Sequence, residues 1–128
     1  MRKEILEQMT AEELKEYAIA CGVKESVFNK SKDKAGYLHS RWEREVLVTV
    51  FGQEFKIKAK TLQDKRFIDL VSSTNPTDEQ LAEALTLLLG EEQVTKLYDV
   101  CTDEDGTVDI VAVGQAFVHI ANSPQLKN

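Results

Sequence analysis

The residues best suited to chemistry in this chain are the carboxylates of Asp103-Glu104-Asp105-Gly106, where acids precede a glycine as they do in a calcium-binding EF-hand loop. Such a loop surrounds the cation with oxygen ligands and closes the cage with a bidentate Glu. Setting Gly106 at the loop glycine puts Cys101 where the first Asp belongs and Ala112 where the closing Glu belongs, which leaves too few hard ligands for calcium. The segment reads instead as a turn leading to a helix N-cap. His39 and His119, the two histidines, have no carboxylate or Cys at metal-ligand spacing, so zinc has no ligand set and each reads as a partly exposed helical side chain. Cys21 and Cys101, the two cysteines, stand among helical apolar positions and read as reduced core thiols of a cytosolic protein, a single bridge between them being the alternative. The six glycines are scattered, with no phosphate-binding loop, nucleophile elbow or dinucleotide fingerprint. The remaining carboxylates fall mostly on polar helix faces or caps. The expectation is a protein without catalytic residues, metal or cofactor, one that works by binding other proteins.

Composition agrees with that class. A chain of 128 residues with 42% apolar content can bury one modest core, so one compact domain overall is expected. A net charge of -6 and a pI near 5.0 oppose nonspecific attraction to nucleic acid or an anionic membrane and suit a basic partner. Residues 1 to 45 hold nine Lys or Arg and nine Asp or Glu, while residues 46 to 128 hold seven and thirteen, so the excess acid lies in the second part. The N-terminus lacks the apolar region of a signal peptide, and no stretch approaches the ~20 apolar residues of a membrane span, which points to the cytoplasm.

The elements follow from periodicity and caps. Thr10 and Glu13 can form a capping box before a helix over 12–21 that Gly22 ends, with Leu14, Tyr17, Ala18 and Cys21 on its apolar side. A weaker helix over 33–42 carries Tyr37, Leu38 and Trp42, and Gly36 weakens it further. The period then becomes two: Val46, Val48 and Val50 share a face, and beyond Gly52 the residues Phe55, Ile57 and Ala59 alternate with Glu54, Lys56, Lys58 and Lys60, which predicts a β-hairpin with one face packed and one wet. Helical spacing returns with Phe67, Leu70 and Val71. Thr77 and Gln80 then cap a helix lined by Leu81, Ala84, Leu85 and Leu88; Gly90 breaks it, Val94, Leu97, Tyr98 and Cys101 follow, and a last helix runs over 108–121. The predicted fold is α+β, mostly α: a helical hairpin over 1–44, a β-hairpin packed on a small bundle of about four helices over 45–122, and a flexible tail over 123–128 closed off by Pro124.

The last helix carries Ile110, Val111, Val113, Phe117, Val118, Ile120 and Ala121 over about half of its circumference, wider than the ~100° stripe a surface helix needs. Either it is the central helix of the fold or one flank docks a partner. The docking alternative places the contact at Val113, Phe117 and Ile120, joined by Leu87, which lies off the stripe of its own helix.

Two resemblances bear on function. Leu14-Lys15, Gly22-Val23, Lys34, Leu38 and Arg41 resemble the SAP motif, a helical DNA-binding module, although this region is charge-neutral and nucleic acid is not the expected partner. Over roughly the last two thirds of the chain, Phe51-Gly52-Gln53-Glu54-Phe55, Phe67-Ile68-Asp69-Leu70, Leu88-Leu89-Gly90-Glu91-Glu92-Gln93-Val94 and Thr107-Val108-Asp109 resemble tail assembly chaperones of long-tailed, siphovirus-type bacteriophages. That resemblance implies a non-enzymatic protein of the infected bacterial cytoplasm that escorts the tape measure protein during tail morphogenesis and self-associates. It also implies contact with the tail tube protein and with a frameshift-extended form, for which Leu126-Lys127-Asn128 is compatible with a slippery codon run. The alternatives are a structural tail or head-tail completion protein and a DNA-binding regulator of SAP type.

Overall fold

Thr10 and Thr77 each open a helix in the same way: the hydroxyl accepts from the backbone N–H three residues on, and Glu13 or Gln80 reaches back to the threonine N–H. These reciprocal bonds satisfy donors that a helix end otherwise leaves bare. The computed structural model describes residues 1–127, and these are mostly helical with one two-stranded antiparallel sheet. Asn128, which ends the segment compatible with codon slippage, lies outside the described residues.

The chain divides into two compact units, Met1–Arg44 together with Lys127, and Glu45–Leu126, and the boundary between Arg44 and Glu45 falls where the hydrophobic period changes. Composition, from which one domain overall is expected, does not say how the apolar residues partition; the buried ones fall into two clusters, one in each unit. In the first unit the expected helical hairpin becomes four short helices: α1 (Lys3–Gln8), α2 (Ala11–Ala20), α3 (Glu25–Lys30) and α4 (Lys34–Trp42). α1 and α3, six residues each, are shorter than the window in which helical periodicity shows itself. They matter nonetheless, because Leu6 of α1 and Phe28 of α3 are buried with Ala18, Val23, Ala35 and Leu38. Gly36 has a local reason to be glycine: the Asp33 carboxylate accepts from the Gly36 N–H at 3.0 Å to cap α4, and a Cβ at position 36 would collide with that carboxylate.

In the second unit β1 (Glu45–Val50) pairs with β2 (Gln53–Lys58), Val46 opposite Ile57 and Val48 opposite Phe55. Val48, Val50, Phe55 and Ile57 are buried on one face, while Leu47, Thr49, Glu54, Lys56 and Lys58 are exposed on the other. A short 3-10 helix, Ala59–Gln63, leads to α5 (Lys65–Val71), α6 (Asp78–Leu89), α7 (Glu91–Val100), α8 (Ile110–Ala121) and α9 (Pro124–Lys127). α6 packs on α5 and β2, and α8 packs on β1. Phe55, Ile57, Leu97 and Ile120 are fully enclosed at the centre.

Over 124–127 the expected flexible tail is corrected by α9. Pro124 occupies its first helical position, where a missing N–H costs nothing and a fixed φ favours the helix, so the proline starts an element rather than ending one. Leu126 is thereby buried in the main cluster.

α7 is tied to the outer edge of β2 by side chains. The Lys56 N–H donates to Gln93 Oε1 at 2.7 Å, and Gln93 Nε2 donates to the Lys56 carbonyl at 2.8 Å and to the Leu89 carbonyl at 2.7 Å. Lys96 Nζ donates to the Glu54 carbonyl at 2.6 Å and lies 4.9 Å from the centre of the Phe55 ring. Gln93→Leu is expected to cost about 0.5–1.5 kcal/mol, because backbone groups of Lys56 and Leu89 lose their partner and those of Lys56 regain water. Urea denaturation measures the cost, and faster exchange of the Lys56 amide proton reports where it arises.

Candidate functional site

The acidic loop that offers the most oxygen atoms spends them on its own backbone. Asp103 N–H donates to the Thr107 carbonyl at 2.7 Å, Gly106 N–H to the Asp103 carbonyl at 3.0 Å and Asp109 N–H to the Cys101 carbonyl at 2.8 Å, with Thr102 and Val108 bridged as in a strand pair. Asp109 Oδ1 accepts from the Val111 and Ala112 N–H groups at 3.1 and 3.2 Å, which caps α8. Asp105 accepts from the Thr107 N–H at 3.0 Å, and hydrogen bonds from the Thr107 side chain and backbone hold its carboxyl below the usual carboxylate range. Among the described residues no group of three His, Cys, Asp or Glu is placed to hold a metal.

Because Asp105 titrates lower in the folded loop than in the unfolded chain, the folded loop binds fewer protons at mildly acidic pH. Its contribution is fully present above the ordinary carboxylate pKa and is lost as pH falls through the native one. The Thr107 amide resonance is expected to titrate in that acid range, and Asp105→Asn is expected to abolish the titration.

Neither cysteine forms a disulfide. Burial, assisted by the nearby Asp109 charge, pushes the Cys101 thiol up, which opposes a nucleophilic role. Burial and a hydrogen bond to Cys21 push the Tyr17 phenol up to about 12, so it stays protonated at neutral pH. His39 is half-buried with Nδ1 3.4 Å from the Met1 carbonyl, and His119 is exposed on α8.

The residues expected to contact a partner are not brought together on an open face. Val113 and Ile120 are buried against the sheet, at 5% and 0% exposure, and Phe117 is half-buried with its ring centre 6.1 Å from that of Phe67. Leu87 is half-buried beside the joint at Gly90 and packs on the same core. That placement has a geometric cause. Val113, Ala116 and Ile120 form the inward stripe on the side of β1, while Ile110 lies at its flank and Val111 and Val118 on the far side of the helix.

The apolar residues left over are the open surface. On α8, Ile110, Val111 and Val118 are 65%, 77% and 57% exposed, and Leu47 on β1 is 55% exposed. Val118 and Leu47 line one shallow groove together with Asn122. Val108 and Ile110 line another with Val100 at the end of α7 and Phe51 at the hairpin turn. A signal for this face is present in the sequence: Gln115 and Asn122 follow Val111 and Val118 by four positions, which puts each valine on the same side as a polar neighbour and therefore towards water.

The arrangement offers apolar contact area on a helix and an adjoining hairpin. No helix among the described residues is long and apolar enough to cross a membrane. In comparisons with known proteins, no family model matches the chain, and neither a curated protein nor a solved structure matches it.

Proposed function

We propose that this chain is a bacteriophage tail assembly chaperone, a non-enzymatic protein of the host bacterial cytoplasm that binds the tape measure protein while the tail is built. The observation that carries the reading is the row of large apolar side chains left open on α8 and β1, at Val111, Val118 and Leu47, in a chain that is otherwise highly charged. Apolar surface that the fold leaves open beside a well-filled core is characteristic of protein docking. A long helical client with its own exposed apolar stripe is prone to aggregate, and helix-to-face contacts of this kind cover such a stripe. The motif resemblance over the last two thirds of the chain supports the same client. Self-association along the client, and contact with a frameshifted longer form and with the tail tube protein, belong to this proposal.

The test is co-expression with the tape measure protein from the same gene cluster. Wild type is expected to keep it soluble and to co-purify with it, while a folded Val111→Asp/Val118→Asp variant is expected to lose both properties. A well-folded wild type that does not capture the client rejects the reading. Detection of the chain in purified particles favours a structural tail or head-tail protein instead.

A further inference from the structure

We infer that the groove between the hairpin turn and the α7–α8 loop is a docking site for a basic amphipathic helix. This rests on reading the open apolar surface of the second unit as a protein-docking face, and it names where the contact lies and what chemistry the partner presents.

The groove has an apolar floor of Phe51, Val100, Val108 and Ile110, edged by Asp103 and Asp109. Each of the four apolar side chains is more than a third exposed, with Ile110 at 65%. Charge selects the occupant. From Leu97 to Leu126 the chain has five carboxylates, Asp99, Asp103, Glu104, Asp105 and Asp109, and no Lys or Arg. The cation that precedes this stretch, Lys96, is directed to the Glu54 carbonyl and the Phe55 ring. Apolar side chains of a visiting helix would fill the floor while its flanking Lys or Arg meet the acidic edge, an arrangement that an acidic or neutral helix cannot match.

Phe51 adds a second observation. It stands with Gly52 at the centre of a two-residue turn, with φ of 51° and 76° respectively. Positive φ at both positions is the type I′ pattern, which favours Asn-Gly and disfavours a bulky first residue. The side chain that bears this strain is 45% exposed. A residue that is unfavourable in its backbone conformation and unfavourable in water is explained by what its ring does in the groove.

The probe is a fluorescein-labelled synthetic helix with leucines on one face and lysines on the other, compared with a sister peptide carrying glutamate in place of lysine. Fluorescence anisotropy is expected to show binding of the lysine peptide that weakens with salt and is at least about tenfold tighter than that of the glutamate peptide. Phe51→Asn is expected to raise the melting temperature and weaken lysine-peptide binding by about fivefold or more, the loss of one anchoring aromatic. Ile110→Asp should weaken it as well, while Glu83→Gln on α6 should leave it unchanged. With the melting temperature of Phe51→Asn at or above that of wild type, lost binding is not lost folding. Equal affinity for the two peptides overturns the inference, as does unchanged affinity in Phe51→Asn and Ile110→Asp. A mass in solution twice that of the chain, returning to the monomer in Ile110→Asp, also overturns it, by assigning the groove to a second copy. Capture of the tape measure protein by wild type and groove variants alike rejects the groove and leaves the chaperone reading standing. Lysine-peptide binding at the groove without capture of that client does the reverse.

Discussion

Phe55→Ala is expected to lower the stability of the second unit by about 3–5 kcal/mol, a large part of the ~5–15 kcal/mol that holds a typical domain folded. Phe55 is fully buried, and it faces Val48 across the hairpin while its ring lies beneath Lys96. Truncation leaves a cavity where strand and helix meet. The transfer energy of the ring, the empty volume and the contact with the Lys96 ammonium are lost together. A shift of the urea midpoint without a change of slope measures the effect, and a loss of under about 1 kcal/mol would mean that this cluster is not the core.

Phe117→Asp is expected to destabilise the same unit by several kcal/mol, since it removes the contact with Phe67 and places a carboxylate against the main cluster with no partner arranged for it. Val118→Asp, one position further on, is expected to stay within about 0.5 kcal/mol of wild type, because that side chain is already mostly in water. The contrast decides how binding experiments are read. Lost client capture in Phe117→Asp reports a damaged fold, whereas lost capture in Val118→Asp, with its circular dichroism spectrum intact, reports a contact. A Phe117→Asp protein with wild-type stability would show that Phe117 is free for partners.

The legible parts of the sequence are those set by local rules. The capping residues Thr10 with Glu13 and Thr77 with Gln80 mark helix starts where the structure has them, the change of period at residue 45 marks the hairpin, and Gly90 marks the joint between α6 and α7. Short elements escape, because α1 and α3 make fewer than two turns and Pro124 reads equally well as a stop or as a first helical residue. The candidate surface is harder still. Apolar residues over about half of α8 leave the buried direction broad, and with only Gln115 and Asn122 to set Val111 and Val118 towards water, Val113 and Ile120 read as a contact until the position of β1 is known. Phe51 is visible in the sequence as an aromatic before a glycine, but its exposure and its conformation belong to the folded turn.

The hydrogen bonds that Gln93 and Lys96 make to β2 have a consequence for any extended chain that approaches the protein. The Lys56 N–H, the Lys56 carbonyl and the Glu54 carbonyl are already engaged, so a strand arriving at these positions finds no open ladder to join. Recruitment by strand addition, and the templated cross-β growth that can follow from it, are blocked there by two side chains of α7. At the β2 edge, therefore, the sheet stays closed to a third strand at these positions.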